Sequence, residues 1–255
     1  MPNAHLRVWR GGEDGEYQEY DVEYEEGMVV LDVVHRLQAT QTPDLAVRWN
    51  CKAGKCGSCS AEVNGQPRLQ CMQRMEQYPE GETLSIAPLK TFPLIRDLVT
   101  DVSWNYEQAK KLPEIKLRER EADGTHRMAQ VDVDRGQEFR KCIECYMCQD
   151  VCHVIRDHPE NMDDFVGPRF FVRLAEVAMH PLDTNPKEAT VSHGFGLEYC
   201  NITKCCTEVC PEGIHITDNA IIPLKERRVD VHYDPLRALG RKLFGGGSSG
   251  SSTRS

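Results

Sequence analysis

NCKAGKCGSCS (residues 50–60), followed by Cys71, sets four cysteines at the spacing C-x4-C-x2-C-x11-C. Three thiolates within nine residues can wrap one end of a [2Fe–2S] cluster, and Cys51, Cys56 and Cys59 follow the plant-type spacing for it. Gly54 and Gly57 let the backbone approach closely and take positive φ, so that N–H groups face the sulfur atoms. Four thiolates also satisfy zinc, although zinc sites draw their ligands more often as two separated pairs. Outward from this loop, SAEV (60–63) and RLQC (68–71) flank Asn64-Gly65, a hairpin signal that carries Cys71 on its far arm. HLRVWR (5–10) and EYQEYDVEY (17–25) alternate as strands around the turn GGEDG, and TLSI (83–86) adds another strand. MVVLDVVHRLQ (28–38) has apolar residues at 30, 33, 34 and 37, which is one helix face. A small α+β domain is expected over residues 1–103.

From FPLIRDLVTD (92–101) onward the strand patterns stop. Residues 104–130 are polar and broken by Pro113 and Gly124, so 104–137 reads as a connector. A second, helical domain is expected from about Glu138 to residue 244. Its clearest helix is FVGPRFFVRLAEVAMHP (165–181), with Pro168 near the first turn and Pro181 after the end. TDNAIIPLKERRVD (217–230) reads as another, started by Thr217 or Asp218 and kinked at Pro223. The Gly/Ser tail at 245–255 reads as a flexible tail or an added scar and carries no fold information.

CIECYMCQDVC (142–152) is C-x2-C-x2-C-x3-C, and CNITKCCTEVCP (200–211) repeats that frame with Thr203 in place of the second cysteine. In two-cluster proteins of this spacing, the last cysteine of each run crosses to the other cluster. Cys142, Cys145, Cys148 and Cys210 are then expected to hold a [4Fe–4S] cluster. Cys152, Cys200 and Cys206 remain for the other. Thr203 is a poor iron ligand, and three thiolates suit a [3Fe–4S] cluster. Cys205 is the competing fourth ligand; as a small residue beside Cys206 it reads more simply as filler.

Composition agrees with metal rather than disulfides. All twelve cysteines fall into these three groups. Residues 1–20 lack a signal-peptide core and MVVLDVV (28–34) is too short to span a bilayer, so the chain is expected in the reducing cytoplasm. With 31 Lys and Arg against 40 Asp and Glu, the net charge is −9, which excludes a nucleic-acid surface. Basic residues gather in 225–244, but Asp230 and Asp234 interrupt them, so a solvated face is a simpler reading than a lipid-binding one. No strand–helix G-x-G-x-x-G unit for a flavin is present.

In RWNCKAGKCGSCS, the Asn-Gly hairpin to Cys71, FPLIRDLVTD, CIECYMC and the C-x5-C-x3-C-P ending, the chain resembles the iron–sulfur subunit of the succinate dehydrogenase and fumarate reductase family, from about residue 5 to 244. The resemblance implies an N-terminal β-grasp [2Fe–2S] ferredoxin-like domain followed by an α-helical ferredoxin domain. It implies [2Fe–2S], [4Fe–4S] and [3Fe–4S] clusters in a line, carrying electrons between a flavoprotein (FAD) subunit and quinone at an integral membrane anchor. The chain itself makes no substrate bond in that scheme and lies peripherally on the cytoplasmic face of the membrane. At the quinone end the pattern departs from well-known members. His153 stands where Pro is usual, no Trp occurs in 153–164, and Asn201 replaces a His. The usual quinone contacts are therefore not carried over, and His153 reads as structural before it reads as a quinone donor. Outside the family, a freestanding soluble ferredoxin and a zinc-stabilised scaffold remain as alternatives.

Overall fold

Five strands form the first lobe's sheet in the order β2-β1-β5-β3-β4 in the computed structural model, which describes residues 2–185 and 195–235. β1 (Asn3–Arg10) and β2 (Glu16–Glu23) pair antiparallel, with Asn3 opposite Glu23 and Arg10 opposite Glu16. β1 also runs parallel to β5 (Thr83–Ala87), whereas β3 (Ser60–Val63) pairs antiparallel with both β5 and β4 (Gln66–Leu69). Alternation decides which face is covered. Ala4, Leu6 and Val8 of β1 are buried, under α1 (Val30–Thr40), whose Val30, Val33, Val34 and Leu37 pack with them, while its Leu31 packs with Cys59 and Cys71. Asn64 and Gly65 both have positive φ (49° and 71°), the geometry a two-residue hairpin needs. β4 stops at Leu69, two residues earlier than the sequence reading; Cys71 sits on a 3-10 turn (Gln70–Met72), where it is buried in the core.

Strand structure does not stop at residue 92. β6 (Leu94–Arg96) and β7 (Val99–Thr100) make a small hairpin. Its turn residue Asp97 has φ 48° and a fully buried carboxylate that accepts N–H bonds from Gly11 (2.7 Å) and Ala46 (2.8 Å). The hairpin rests on partners 51 and 86 residues away, so local pattern does not reveal it. Likewise the polar connector contains a helix, α2 (Ser103–Ala109), and the first helix of the second lobe, α3 (Gln130–Arg140), starts well before Glu138.

The second lobe is helical. α4 (Met147–Asp150), α5 (His153–Arg156), α6 (Gly167–Ala178), α7 (Cys205–Glu208) and α8 (Ile222–Tyr233) surround a core containing Phe139, Phe165, Phe170, Phe171, Leu174 and Ile221. Pro168 occupies the first turn of α6, where its missing N–H costs nothing. At Pro223 the expected kink takes another form: a π-helical turn, Ile216–Ile221, precedes α8 and leaves the proline in that helix's first turn. The basic segment beyond residue 235 and the Gly/Ser tail lie outside the described residues.

Candidate functional site

The 50–60 loop bends back through Lys52, Gly54 and Gly57, all at positive φ. That reversal turns main-chain donors onto sulfur: Ala53 N–H (3.4 Å) and Lys55 N–H (3.3 Å) donate to Cys51 Sγ, and Cys51 N–H to Cys56 Sγ (3.5 Å). Cys59 and Cys71 are buried beneath, held together by the Gln70 N–H and side-chain amide on Cys59 O (3.2 and 3.1 Å). The thiols differ accordingly. Burial pushes Cys59 up to about 12, whereas at Cys56 burial is outweighed by hydrogen bonds from Ser58 and the Cys51 backbone, leaving it at about 7.

In the second lobe two short loops carry the remaining cysteines, and they share one backbone shape. Glu144 and Tyr146 lie in the left-handed region in the first, Ile202 and Lys204 in the second, with α4 and α7 following directly. Thr203 is therefore the geometric counterpart of Cys145, and Cys205 that of Met147. Cys142, Cys145, Cys148 and Cys210 line one cavity together, walled by Val172, Ile214 and Ile216. Burial raises Cys145 to about 12 and lifts Cys142 and Cys148 as well, the neighbouring thiols adding to the rise at Cys145 and Cys148. Cys152 (about 12) and Cys206 (about 11) are raised by burial in the same way, and each also feels nearby cysteines, Cys205 and Cys206 at the former, Cys205 and Cys200 at the latter. Thr203 Oγ1 stands 3.4 Å from Cys205 Sγ.

Thiols this buried do not ionise alone; a bound cationic metal centre would supply the compensating charge. Among the described residues no three His, Cys, Asp or Glu side chains converge as the ligands of one metal ion must. Cys142, Cys145, Cys148 and Cys210 ring a space instead, which suits a multi-atom cluster.

The three thiol sets adjoin one another. Cys59 and Cys71 pack in one apolar cluster with Cys145 and Met147, and Cys148 packs in another with Cys152 and Cys206. Gly57 makes the junction between the lobes: a Cβ there would lie 2.7 Å from Cys145 Cα and 2.8 Å from Ile143 O. Lys55 pairs with Glu212 (2.9 Å) across the same junction. At the far end His153 Nε2 meets Asn201 Nδ2 at 2.8 Å, so the two positions that depart from the family pattern are partners.

Several residues here have no signature in the sequence. Arg169 and Arg173 of α6 both pair with Glu144 (2.5 and 3.2 Å), and Arg173 also donates to Cys142 O. Glu62 of β3 and Asp150 of α4 share Arg156 (2.6 and 3.1 Å) between the lobes. Burial lifts the Asp150 carboxyl to about 6, with Glu62 adding to the rise and the Thr91 N–H and Arg156 opposing it.

Residues 5–107 match the model of a 2Fe-2S iron-sulfur cluster binding domain, and residues 138–214 that of a 4Fe-4S dicluster domain. The fumarate reductase iron-sulfur subunit of Mycobacterium tuberculosis is 30% identical over 78% of this chain and 80% of its own length. An uncharacterised iron-sulfur protein of Methanocaldococcus jannaschii is 29% identical over 86% of this chain, which spans only 42% of that relative. Among solved structures, a chain of the Mycobacterium smegmatis Sdh1 complex in the apo form is 62% identical with a TM-score of 0.89, covering 92% of this chain and 99% of that one. With a [2Fe–2S] ferredoxin-type lobe preceding a helical dicluster lobe, the chain belongs to the iron–sulfur subunit family of succinate dehydrogenases and fumarate reductases.

Proposed function

We propose that this chain is the electron-transfer subunit of a membrane-bound succinate:quinone oxidoreductase, the succinate dehydrogenase of the tricarboxylic acid cycle. The observation that carries the reading is the unbroken series of thiol sets, from the 50–60 loop through the shared cavity to Cys152, Cys200 and Cys206. Cys51, Cys56, Cys59 and Cys71 would hold a [2Fe–2S] cluster, Cys142, Cys145, Cys148 and Cys210 a [4Fe–4S] cluster, and Cys152, Cys200 and Cys206 a [3Fe–4S] cluster. Bound clusters supply one-electron chemistry, here from a flavoprotein (FAD) subunit toward quinone at an anchor subunit.

The chain's own residues bind, bury and tune. Ala53 and Lys55 N–H groups donate to the Cys51 sulfur, and the core around Cys148, Cys152 and Cys206 excludes water. The proposed working units are residues 1–103, the connector 104–137, whose last residues already belong to α3, and the helical domain 138–244. Among the described residues no helix is long and apolar enough to cross a membrane. In this reading the chain is a peripheral subunit held on the cytoplasmic face by anchor chains. The reverse direction, quinol:fumarate reduction, is the second reading, favoured by the names of relatives such as the Mycobacterium tuberculosis subunit.

The test is purification with partners. About nine iron atoms per chain, three EPR-distinguishable clusters and succinate-dependent quinone reduction are expected. Zinc in place of iron, or a lone monomer that carries every cluster without a flavoprotein, would sink the reading. A complex that reduces fumarate but does not oxidise succinate would establish the reverse direction.

A further inference from the structure

Arg169 lines the cavity of Cys142, Cys145, Cys148 and Cys210, and is 4% exposed. Its Nη2 donates to Glu144 Oε1 (2.5 Å), while Nε and Nη1 are buried without any partner. A guanidinium carries five fixed N–H donors and cannot lose its proton, so leaving the three on Nε and Nη1 buried without partners is costly unless an acceptor fills the site. The walls offer few. Val172, Ile214 and Ile216 are apolar, and Glu212, the other charged side chain at the cavity, already pairs with Lys55. Tyr146 also lines the cavity, with its hydroxyl on Glu144 Oε2 (3.4 Å), and the four cysteine sulfurs are the other side-chain acceptors. Arg173 reinforces the arrangement from one turn further along α6, since its Nη2 bonds both Glu144 Oε1 and Cys142 O at 3.2 Å. One carboxylate thus holds two guanidinium groups beside a set of thiols.

We propose that Arg169 donates its free N–H groups to sulfur of the cluster held by Cys142, Cys145, Cys148 and Cys210, and thereby raises that cluster's reduction potential. The inference rests on the ligand set proposed above. Its physical basis is charge. One-electron reduction makes the cluster more negative, and a buried cationic donor stabilises the reduced form more than the oxidised one. Neither cysteine spacing nor backbone N–H groups supply this term, so Arg169 is a positioning and tuning residue specific to α6. Glu144 keeps the guanidinium oriented and offsets part of its charge.

The experiment is an EPR-monitored redox titration of the whole complex, comparing wild type with Arg169→Gln and Arg169→Lys. Arg169→Gln should shift the reduction equilibrium of the [4Fe–4S] cluster at least tenfold toward the oxidised form, about 59 mV for one electron, while the [2Fe–2S] potential stays in place. Arg169→Lys retains charge without the planar fork and should shift it less, about threefold. A [4Fe–4S] signal present in the variants at the wild-type potential overturns the role of Arg169 and leaves the ligand set standing. Absence of that signal from wild type overturns the ligand set itself. Should Arg169→Gln fail to hold the cluster, Arg169→Lys decides: a downward shift supports the proposal and an unmoved potential overturns it. A purely structural arginine would lower thermal stability in both variants without moving the potential.

Discussion

Thr203 and Cys145 occupy the same slot in two loops of one shape, each between residues at positive φ. A thiol at 203 would therefore point where Cys145 points in the first loop. Thr203→Cys is expected to raise iron content by about one atom and to abolish the EPR signal of an oxidised [3Fe–4S] cluster. Electron delivery to quinone should slow while the flavin half-reaction persists. If wild type already shows two [4Fe–4S] clusters, Cys205 is a ligand and the reading of Thr203 fails. Gly57 is constrained from the other side. Its φ of 69° disfavours any side chain, and a Cβ would sit 2.7 Å from the Cys145 backbone, which cannot swing away as a flexible side chain does. Gly57→Ala should destabilise the junction of the lobes by about 3 kcal/mol, strain and overlap together. Denaturant unfolding followed at the visible cluster absorbance would read this, and a midpoint equal to wild type would contradict it.

At the scale of elements, α3 is tied to the segment after Cys210 by one side chain. Glu138 accepts from His215 N–H (2.8 Å) and Asn219 Nδ2 (2.5 Å), and also meets His215 Nδ1 (2.9 Å). Burial pushes its carboxyl upward, but these donors outweigh it and hold the group below the usual glutamate range. The sign follows from linkage. A depressed folded-state value means the stabilisation is complete above the unfolded value of 4.5 and is lost as pH falls through the folded one. Because His215 is exposed, solvent screens part of the attraction. Glu138→Gln should cost about 1 kcal/mol at pH 7, and the gap from wild type should close as the pH drops below 4.5. Denaturant midpoints across that range provide the check; a gap that stays constant with pH would refute the assignment.

Across the whole molecule the lobes are joined by a buried charge cluster as well as by backbone contact. Glu62 of the sheet is 1% exposed and Asp150 of α4 is fully buried, with Arg156 between them and Lys90 at 3.9 Å from Glu62. Thr91 N–H adds a bond to Asp150 (3.1 Å), and Phe92 meets Tyr146 edge-on at 5.9 Å. Removing the one shared cation would leave two carboxylates facing each other out of water. Arg156→Met is expected to cost about 3–5 kcal/mol at the junction. Its signature would be two separate transitions in calorimetry where wild type shows one, with faster proteolysis in the 104–129 segment. A single transition at the wild-type temperature would argue that the lobes are held mainly by Gly57 and Lys55.

Sequence alone determined what depends on neighbours along the chain. The spacings around Cys51, Cys142 and Cys200, the Asn64-Gly65 hairpin, and helices α1 and α6 are local, because a turn or helix face is set within a few residues. The family and the order of its two lobes followed from those motifs. The β6–β7 hairpin, helix α2 and the π turn before Pro223 were not legible, since each depends on its surroundings; at the first, donors from distant loops satisfy the buried Asp97. The same holds at the candidate sites. Arg169 meets Glu144 across 25 residues, and Arg156 meets Glu62 from the other lobe. Charges with free rotamers and ordinary solvation carry no signal in a sequence. Only when the fold removes water from them do their partners become obligatory, and that desolvation is a property of the tertiary structure.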